Sequence, residues 1–341
     1  MIVFRTFPQL TSRRFKKYQE LYKEQENIIS GHVLLQTIAR ALEWQMPNVS
    51  SLVYSPDPHH IPLEKKDMKE ILPRGVVGAD RIHDGFHHLI GAIYISQYTG
   101  IHNFKIERRP CSLPKTIGTE FYVDIFKFRH TSDLEAGKFF FQNLQKIDIA
   151  LTPTSPLNKA GASGAGALEC LANMATLLSE AKGLRDLSLQ LSYWHPNPHN
   201  MYGYIVPHGQ PIFPHLGLDT TWPTLRSLRL GGVYADEEEI KELIHRHLQT
   251  LTSLRFSHCS LFSGQWSNIV DDVVFGTNIA RFVLHKVNEV TIEDRPISSL
   301  SEEEMVPWLY RGQLMVNEEG ERSFKELPGQ SVYAWRNQAG A

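Results

Sequence analysis

The chain has 341 residues, of which 42% are hydrophobic and 21% are charged. This balance is typical of a globular chain with a sizeable core and excludes a disordered one. Lys and Arg total 35 against 37 Asp and Glu, a formal net charge of −2, so nothing indicates nucleic acid or an anionic membrane as partner.

Residues 1–45 are predicted to form a helical cap. Gly31 separates two groups of apolar residues at helical spacing. These are Tyr18, Leu21 and Tyr22, then Leu34, Leu35, Ile38, Ala41 and Leu42. An open-ended repeat array needs such a cap at its first repeat.

Residues 46–295 contain an apolar triplet that recurs with the spacing L-x-x-L-x-L. The clearest copy, Leu251-x-x-Leu254-x-Phe256-x-x-Cys259-x-Leu261, fills every apolar position of the leucine-rich-repeat template, with Cys at the Asn/Cys position. Two more copies are all leucine, and four are weaker: Leu184, Leu187, Leu189; Leu225, Leu228, Leu230; Val49, Leu52, Tyr54; Ile101, Phe104, Ile106; Leu144, Ile147, Ile149; and Val287, Val290, Ile292. Each triplet predicts a strand, although most separations exceed the usual repeat of about 20 to 29 residues.

The intervals between triplets can each hold one amphipathic helix. In residues 236–251 the apolar side chains fall on one helical face, and Asp236 with Glu239 resembles a capping box. Alternating strands and helices imply parallel strands. Because no G-x-G-x-x-G follows a predicted strand, we favour an α/β leucine-rich-repeat solenoid over a doubly wound sheet. We expect irregular long repeats, with parallel strands on the concave side and helices on the convex side.

Three other segments interrupt or follow the repeats. Residues 55–74 and 194–223 are rich in turn-forming residues and are predicted to be inserted loops, which would explain the long periods. Residues 296–341 are predicted to be a polar tail with one short helix over residues 301–309.

Several segments resemble a family of filamentous-fungal F-box and leucine-rich-repeat proteins. They are residues 15–29 (FKKYQELYKEQENII), 39–42 (ARAL), 46–49 (MPNV), 222–230 (WPTLRSLRL), 254–261 (LRFSHCSL) and 264–266 (GQW). The resemblance covers most of the chain and implies the substrate-recognition subunit of a cullin-RING ubiquitin ligase. In that family the F-box docks the ligase adaptor and the repeats hold the substrate. No F-box is visible before Phe15, so adaptor binding is expected only if one lies upstream.

Chemical motifs in the chain are incomplete. His83 and His87 are four apart, but Asp84 and Gly85 stand where the zinc motif H-E-x-x-H has Glu and a helix-forming residue. Ser163 lies in GASGAG, which lacks the final Gly of a nucleophile elbow. We therefore expect no enzyme, no metal and no cofactor. The alternative that stays open is a hydrolase that uses one of the His-containing loops.

The three cysteines bear on the compartment of the chain. Cys111, Cys170 and Cys259 form no C-x-x-C pair, and an odd number does not suit a disulfide framework. The N-terminus lacks an apolar signal segment, and no run of about 18 apolar residues occurs. We expect an intracellular protein of the cytoplasm or nucleus, without a membrane partner.

Alternation along the strands predicts the functional surface. When the leucines of L-x-x-L-x-L point inward, the residues between them face outward. We expect a protein partner to bind there, whether or not the chain is linked to ubiquitin. The predicted contacts are Asp186, Ser188, Gln190, Ser227, Arg229, Ser253, Arg255 and Ser257, with Asn103, Lys105, Glu107, Lys146 and Asp148 as weaker candidates.

Overall fold

The computed structural model describes ten parts of the chain: residues 19–20, 22–24, 33–54, 84–106, 123–128, 130–151, 165–191, 212–289, 310–317 and 321–326. Its architecture is mixed α/β, with a mostly parallel sheet and helices. The strands are β1 Ser51–Tyr54, β2 Asn103–Ile106, β3 Lys146–Leu151, β4 Asp186–Leu191, β5 Ser227–Gly231, β6 Tyr234–Asp236, β7 Ser253–Ser257, β8 Ser260–Ser263, β9 Arg281–Glu289, β10 Tyr310–Val316 and β11 Arg322–Glu326.

Helices and strands alternate along the chain, with an α-helix before each of β1, β2, β3, β4, β7 and β9. The α-helices are α1 Val33–Arg40, α2 Asp84–Ile95, α3 Thr131–Phe141, α4 Ala165–Glu180, α5 Glu237–Arg246 and α6 Trp266–Gly276. A π-helical turn, Ala41–Gln45, continues α1, and 3-10 turns occur at Val123–Phe126 and Pro214–Leu216. No helix in the described ranges is long and apolar enough to cross a membrane.

The order β1-β2-β3-β4-β5-β7-β9-β10-β11 runs through the main sheet. Pairing is parallel from β1 to β9 and antiparallel at β10 and β11. The triplets are aligned across it: Leu187 pairs with Leu228, and Leu228 with Leu254. Six of the predicted triplets therefore lie on neighbouring parallel strands, as expected for helical crossovers between strands.

One hydrophobic core lies between this sheet and the helices. On β4 the burial alternates, so that Leu187, Leu189 and Leu191 are buried while the residues between them are not. The same cluster contains Leu177 of α4 and Leu243 of α5. The helices thus pack on the face of the sheet that carries the leucines.

The α5 helix begins as the sequence predicts. Glu239 accepts a hydrogen bond from the backbone N–H of Asp236 at 3.0 Å, which forms part of a capping box. A second oxygen of Glu239 accepts from the N–H of Phe213 at 2.9 Å. The helix ends at Arg246, earlier than the periodicity to residue 251 suggests. The side chain of Glu239 therefore connects the start of α5 to the segment before β5.

A recurrent turn follows β5 and β7. After β5, Gly232 has φ 67° and its N–H donates to the carbonyl of Ser257; after β7, His258 has φ 55° and donates to the carbonyl of His285. Each turn leads into a short second strand, β6 or β8, and these two strands pair in parallel. The buried Cys259 thiol donates to the carbonyl of Leu230 at 3.5 Å, so the Asn/Cys position of the template bonds to the preceding repeat.

The triplet predicted at Val287 does not occupy the triplet positions of β9. Phe282 pairs with Leu254 and Leu284 with Phe256, so Ile279, Phe282 and Leu284 occupy the triplet positions. Val287 lies further along the same strand and is also buried, because Lys286 at φ 54° interrupts the alternation. Residues 290 and 292 lie outside the described residues.

Two further predictions are corrected. The segment 194–223 is not loop throughout, because Phe213, Leu216, Leu218 and Trp222 at its end are buried in the core. The polar tail predicted for residues 296–341 contains β10 and β11, which extend the sheet. The short helix predicted over residues 301–309 lies outside the described residues, as do residues 55–74. At the edge of the sheet, β11 alternates only between half-buried and exposed residues, so it carries little apolar pattern that the sequence could reveal.

The described part of the predicted cap is helical. Ala39 and Leu42 are buried, and α1 packs against α2. Leu35 lies so close to Gly91 of α2 that a Cβ added to this glycine would stand 3.2 Å from the leucine Cδ1. Tyr22 is exposed, whereas Tyr18 and Leu21 lie outside the described residues.

Candidate functional site

The predicted contact residues lie side by side on the face of the sheet opposite the leucines, which we call the open face. The register arranges this face in three rows that cross the strands. They are Asn103, Lys146, Asp186, Ser227, Ser253 and Arg281; Lys105, Asp148, Ser188, Arg229, Arg255 and Val283; and Ala150, Gln190, Gly231, Ser257 and His285. Neighbours within a row are separated by about 4.8 Å, the spacing of paired strands.

Side chains on the open face are accessible to solvent. Gln190, Arg229 and Arg255 are exposed, and Asp186 and Ser188 are half-buried. This contrasts with Leu187, Leu228 and Leu254 on the other face, which are at most 1% exposed. Polar groups held on rigid strands and exposed to solvent keep their hydrogen-bonding capacity for a ligand.

A shallow pocket of about 250 Å³ lies at the centre of the open face. It is lined by Asp148, Ser188, Leu189, Gln190, Arg229, Leu230, Gly231, Arg255 and Ser257. Five of the predicted contact residues are in this lining, while Asp186, Ser227 and Ser253 form the adjacent row. Asp148, a weaker candidate, is also in the lining, and Glu107 lies outside the described residues. The structure therefore brings the eight predicted residues together on one surface.

Gly231 lies in the lining of the pocket and was not among the predicted contact residues. A Cβ added there would stand 3.1 Å from Gln190 Cγ and 3.3 Å from Ser257 Oγ. The missing side chain thus leaves a gap between these two polar side chains. The signal in the sequence was a glycine directly after an all-leucine triplet, in the outward register.

Charge is distributed unevenly over the open face. On β2 to β4 the rows carry charged residues of both signs, namely Lys105, Lys146, Asp148 and Asp186. On β5, β7 and β9 the charged residues of the rows are all arginines. These are Arg229, Arg255 and Arg281. Neither Arg229 nor Arg255 forms an ion pair or hydrogen bond within the part of the chain that the structure describes. Among the described residues, the middle of the face therefore carries positive charge without an ion-pair partner.

Of the two histidines that lie four residues apart, His83 and His87, the structure describes His87. His87 Nε2 lies 3.0 Å from the carbonyl oxygen of Ile125, and its ring packs against Phe128. No group of three or more potential metal ligands occurs within the described ranges. His83 and Ser163 lie outside those ranges.

The two buried cysteines are poor nucleophiles. Burial raises the pKa of the Cys170 thiol to about 12 and that of Cys259 to about 11. Since the thiolate is the reactive form, both thiols stay protonated and unreactive near neutral pH.

His247 is a structural histidine of the core. It is 2% exposed and its ring stacks on the ring of Trp222. Its Nε2 accepts a hydrogen bond from the backbone N–H of Trp222 at 3.0 Å. Its Nδ1 lies 2.8 Å from the carbonyl oxygen of Leu243, which it can meet only by donating a proton. The two contacts together require the neutral imidazole, because a protonated Nε2 could not accept.

Acid should weaken the fold through this histidine. Burial, together with the charge of Arg246, lowers the pKa of His247 in the folded chain, although the bond to Leu243 opposes the shift. The unfolded chain therefore takes up the proton first as the pH falls, and the free energy of unfolding decreases below about pH 6.5, by at most about 1.4 kcal/mol for each pH unit.

The measurement is urea denaturation of the wild-type chain between pH 7.5 and 5. A His247→Gln variant should be less stable at neutral pH and should show a smaller decrease on acidification. The matched control is His245→Gln, an exposed position on α5 two residues before His247. An equal pH slope in wild type and His247→Gln would contradict the assignment.

Comparison of the chain with known protein families, characterised proteins and solved structures finds no match. The class of the protein is therefore set by the fold alone, a mixed α/β chain whose mostly parallel sheet carries helices against its apolar face.

Proposed function

We propose that the chain is a leucine-rich-repeat solenoid that binds a protein partner on the open face. The observation that carries this proposal is the alignment of polar side chains in three rows across parallel strands, with a pocket at their centre. Rigid, solvent-accessible side chains at fixed spacing form a surface that an extended or folded protein segment can contact at many points.

The solenoid is supported by what the strands share. Six triplets follow one another in register, and the crossovers between β1 and β9 return to a parallel strand. Packed helices need about 8 to 10 Å each, whereas paired strands need about 4.8 Å. A sheet covered by helices on one face is therefore expected to curve with its strands on the concave side. The open face would then be the inner surface of the solenoid.

A protein is a better partner for this surface than nucleic acid. The whole chain carries a formal net charge of −2, and the open face includes Asp148 and Asp186 as well as arginines. A phosphate backbone would need a continuous basic track. Mixed charge with serine and glutamine suits the varied side chains of a protein segment.

The resemblance to F-box and leucine-rich-repeat proteins extends this proposal. On that basis the chain corresponds to the substrate-recognition part of a ubiquitin-ligase subunit in the cytoplasm or nucleus, and the open face holds the substrate. Contact with the ligase adaptor would need an F-box upstream of these residues. An interaction protein without a link to ubiquitin would use the same face.

Peptide display tests the binding face. The full wild-type chain is used to select binding peptides from a random library. The affinity of the selected peptides is then measured for the wild-type chain and for the Asp186→Arg variant. A charge reversal on the first row should weaken binding at least about tenfold, which corresponds to about 1.4 kcal/mol. The matched control is Glu242→Arg, the same reversal at an exposed position on α5.

The control should leave the affinity within about a factor of two, since a surface substitution away from the contact changes little. Thermal unfolding of both variants verifies that they fold. Equal losses in Asp186→Arg and Glu242→Arg, or a library that yields no binder, would contradict the proposal.

A further inference from the structure

We infer that Arg229 and Arg255, with the gap at Gly231, bind an oxyanion carried by a side chain of the partner. This inference rests on the proposed function, because it places an acidic or phosphorylated peptide side chain in the pocket of the open face. It goes further in naming the chemical group that the pocket takes.

The two arginines lie directly opposite one another in the sheet. They are direct Cα partners on the parallel strands β5 and β7, so their backbones are about 4.8 Å apart. Like charges directly opposite one another weaken a sheet. Neither guanidinium is paired in the described part of the chain. An anion between them would offset this repulsion and give both groups a partner.

The pocket next to these arginines has space for a small group. Gly231 lies two residues beyond Arg229 and leaves space between Gln190 and Ser257. An added Cβ would make contacts of 3.1 and 3.3 Å with these side chains, so even one methyl group narrows the site. The Ser257 hydroxyl and the Gln190 amide can each donate a hydrogen bond to an oxyanion.

Asp148 and Ser188 limit where the anion can lie. Asp148 is in the same row as Arg229 but two strands away, at about 10 Å between backbones. Its carboxylate repels an anion on the β3 side of the pocket. Ser188 stands between the two charged residues and can donate from its hydroxyl. The charge pattern therefore places the oxyanion over β5 and β7.

The arginine fork fits both candidate groups. A guanidinium binds carboxylate or phosphate oxygens through two parallel N–H donors. Phosphoserine carries about −1.5 to −2 charges at neutral pH and can satisfy two arginines, whereas a glutamate carries one charge. We expect phosphoserine to bind more tightly than glutamate, and glutamate more tightly than serine.

The test uses three capped peptides that differ at one position, acetyl-Gly-Ala-Xaa-Ala-Gly-amide with phosphoserine, glutamate or serine as Xaa. They are titrated into the full chain at fixed ionic strength, and binding is followed in ¹H–¹⁵N spectra. The phosphoserine peptide should bind at least about tenfold more tightly than the serine peptide. Arg229→Gln and Arg255→Gln should each remove most of this difference.

Arg281→Gln is the matched control. This arginine is exposed on the first row of the open face, outside the pocket lining, and its replacement changes the net charge by the same amount. It should change the affinity for the phosphoserine peptide by less than about a factor of two. Gly231→Ala provides a variant that keeps all charges and narrows the pocket, and it should also weaken binding.

Two results would overturn the inference: equal affinity for the three peptides, or an equal loss with Arg281→Gln and Arg229→Gln. Either could occur while Asp186→Arg still weakens the binding of displayed peptides and Glu242→Arg does not, in which case the binding face stands and only the oxyanion site fails. Failure of the binding face itself would be seen in the Glu242→Arg comparison.

Discussion

Leu254→Ala should lower the free energy of unfolding by about 2 to 5 kcal/mol, and Leu228→Ala by a similar amount. Both side chains are fully buried and lie on adjacent parallel strands as direct partners. On its other side Leu254 is aligned with Phe282, which is also buried. Truncation leaves a cavity that the close-packed helices and strands cannot fill without moving.

Urea denaturation of the two variants measures this loss. Ser253→Ala is the matched control, because it removes a side-chain group from the same strand at a position on the opposite face. It should change the stability by less than about 0.5 kcal/mol. The losses of stability should not be additive in the Leu228→Ala/Leu254→Ala double variant, because the two leucines are direct neighbours in the sheet. Losses below about 1 kcal/mol at both leucines would show that the triplets are not core.

The strands that carry leucine triplets could be predicted from sequence for a physical reason. Inward positions in L-x-x-L-x-L must be apolar on every repeat, so Leu184, Leu225 and Leu251 and the residues after them stand out. At β9 this rule selected the wrong residues, because two sets of apolar residues fit the spacing: Ile279, Phe282, Leu284 and Val287, Val290, Ile292. In addition, Lys286 shifts the alternation of buried residues on this strand. Apolar periodicity thus identifies a strand more reliably than its register.

The residues of the open face could be predicted from the sequence, but the pocket between them could not. Alternation alone assigns Ser188, Arg229 and Arg255 to the outward side, and the register of the sheet then places them in one row. The pocket depends on Gly231, whose meaning appears only when the neighbours on β4 and β7 are known. Arg281 was missed because the triplet on β9 was assigned to the wrong residues.

The edge of the sheet and the second strands could not be found from periodicity. The strands β6 and β8 have three and four residues, too few for an alternation to be recognised. On β11 the residues alternate only between half-buried and exposed. These elements are held by pairing with their neighbours, which a local pattern does not encode.

Gly232→Ala should destabilise the fold by about 3 kcal/mol or more. Gly232 adopts φ 67°, in the left-handed region that disfavours residues with a Cβ. A Cβ here would in addition overlap the carbonyl oxygen of Leu191, at the end of the preceding parallel strand. His258 adopts φ 55° in the next repeat, so a residue with a Cβ can take up this conformation. The overlap with Leu191 is therefore expected to account for most of the loss of stability.

Gly231→Ala separates these effects because it changes the adjacent glycine. Gly231 is not in the left-handed region, and its added Cβ would contact side-chain atoms of Gln190 and Ser257, which can move by a few tenths of an ångström. We expect a cost below about 1 kcal/mol for this control. Both variants are compared by chemical denaturation and by circular dichroism at equal concentration. If Gly232→Ala were no less stable than Gly231→Ala, the tight turn between β5 and β6 would not have the conformation described.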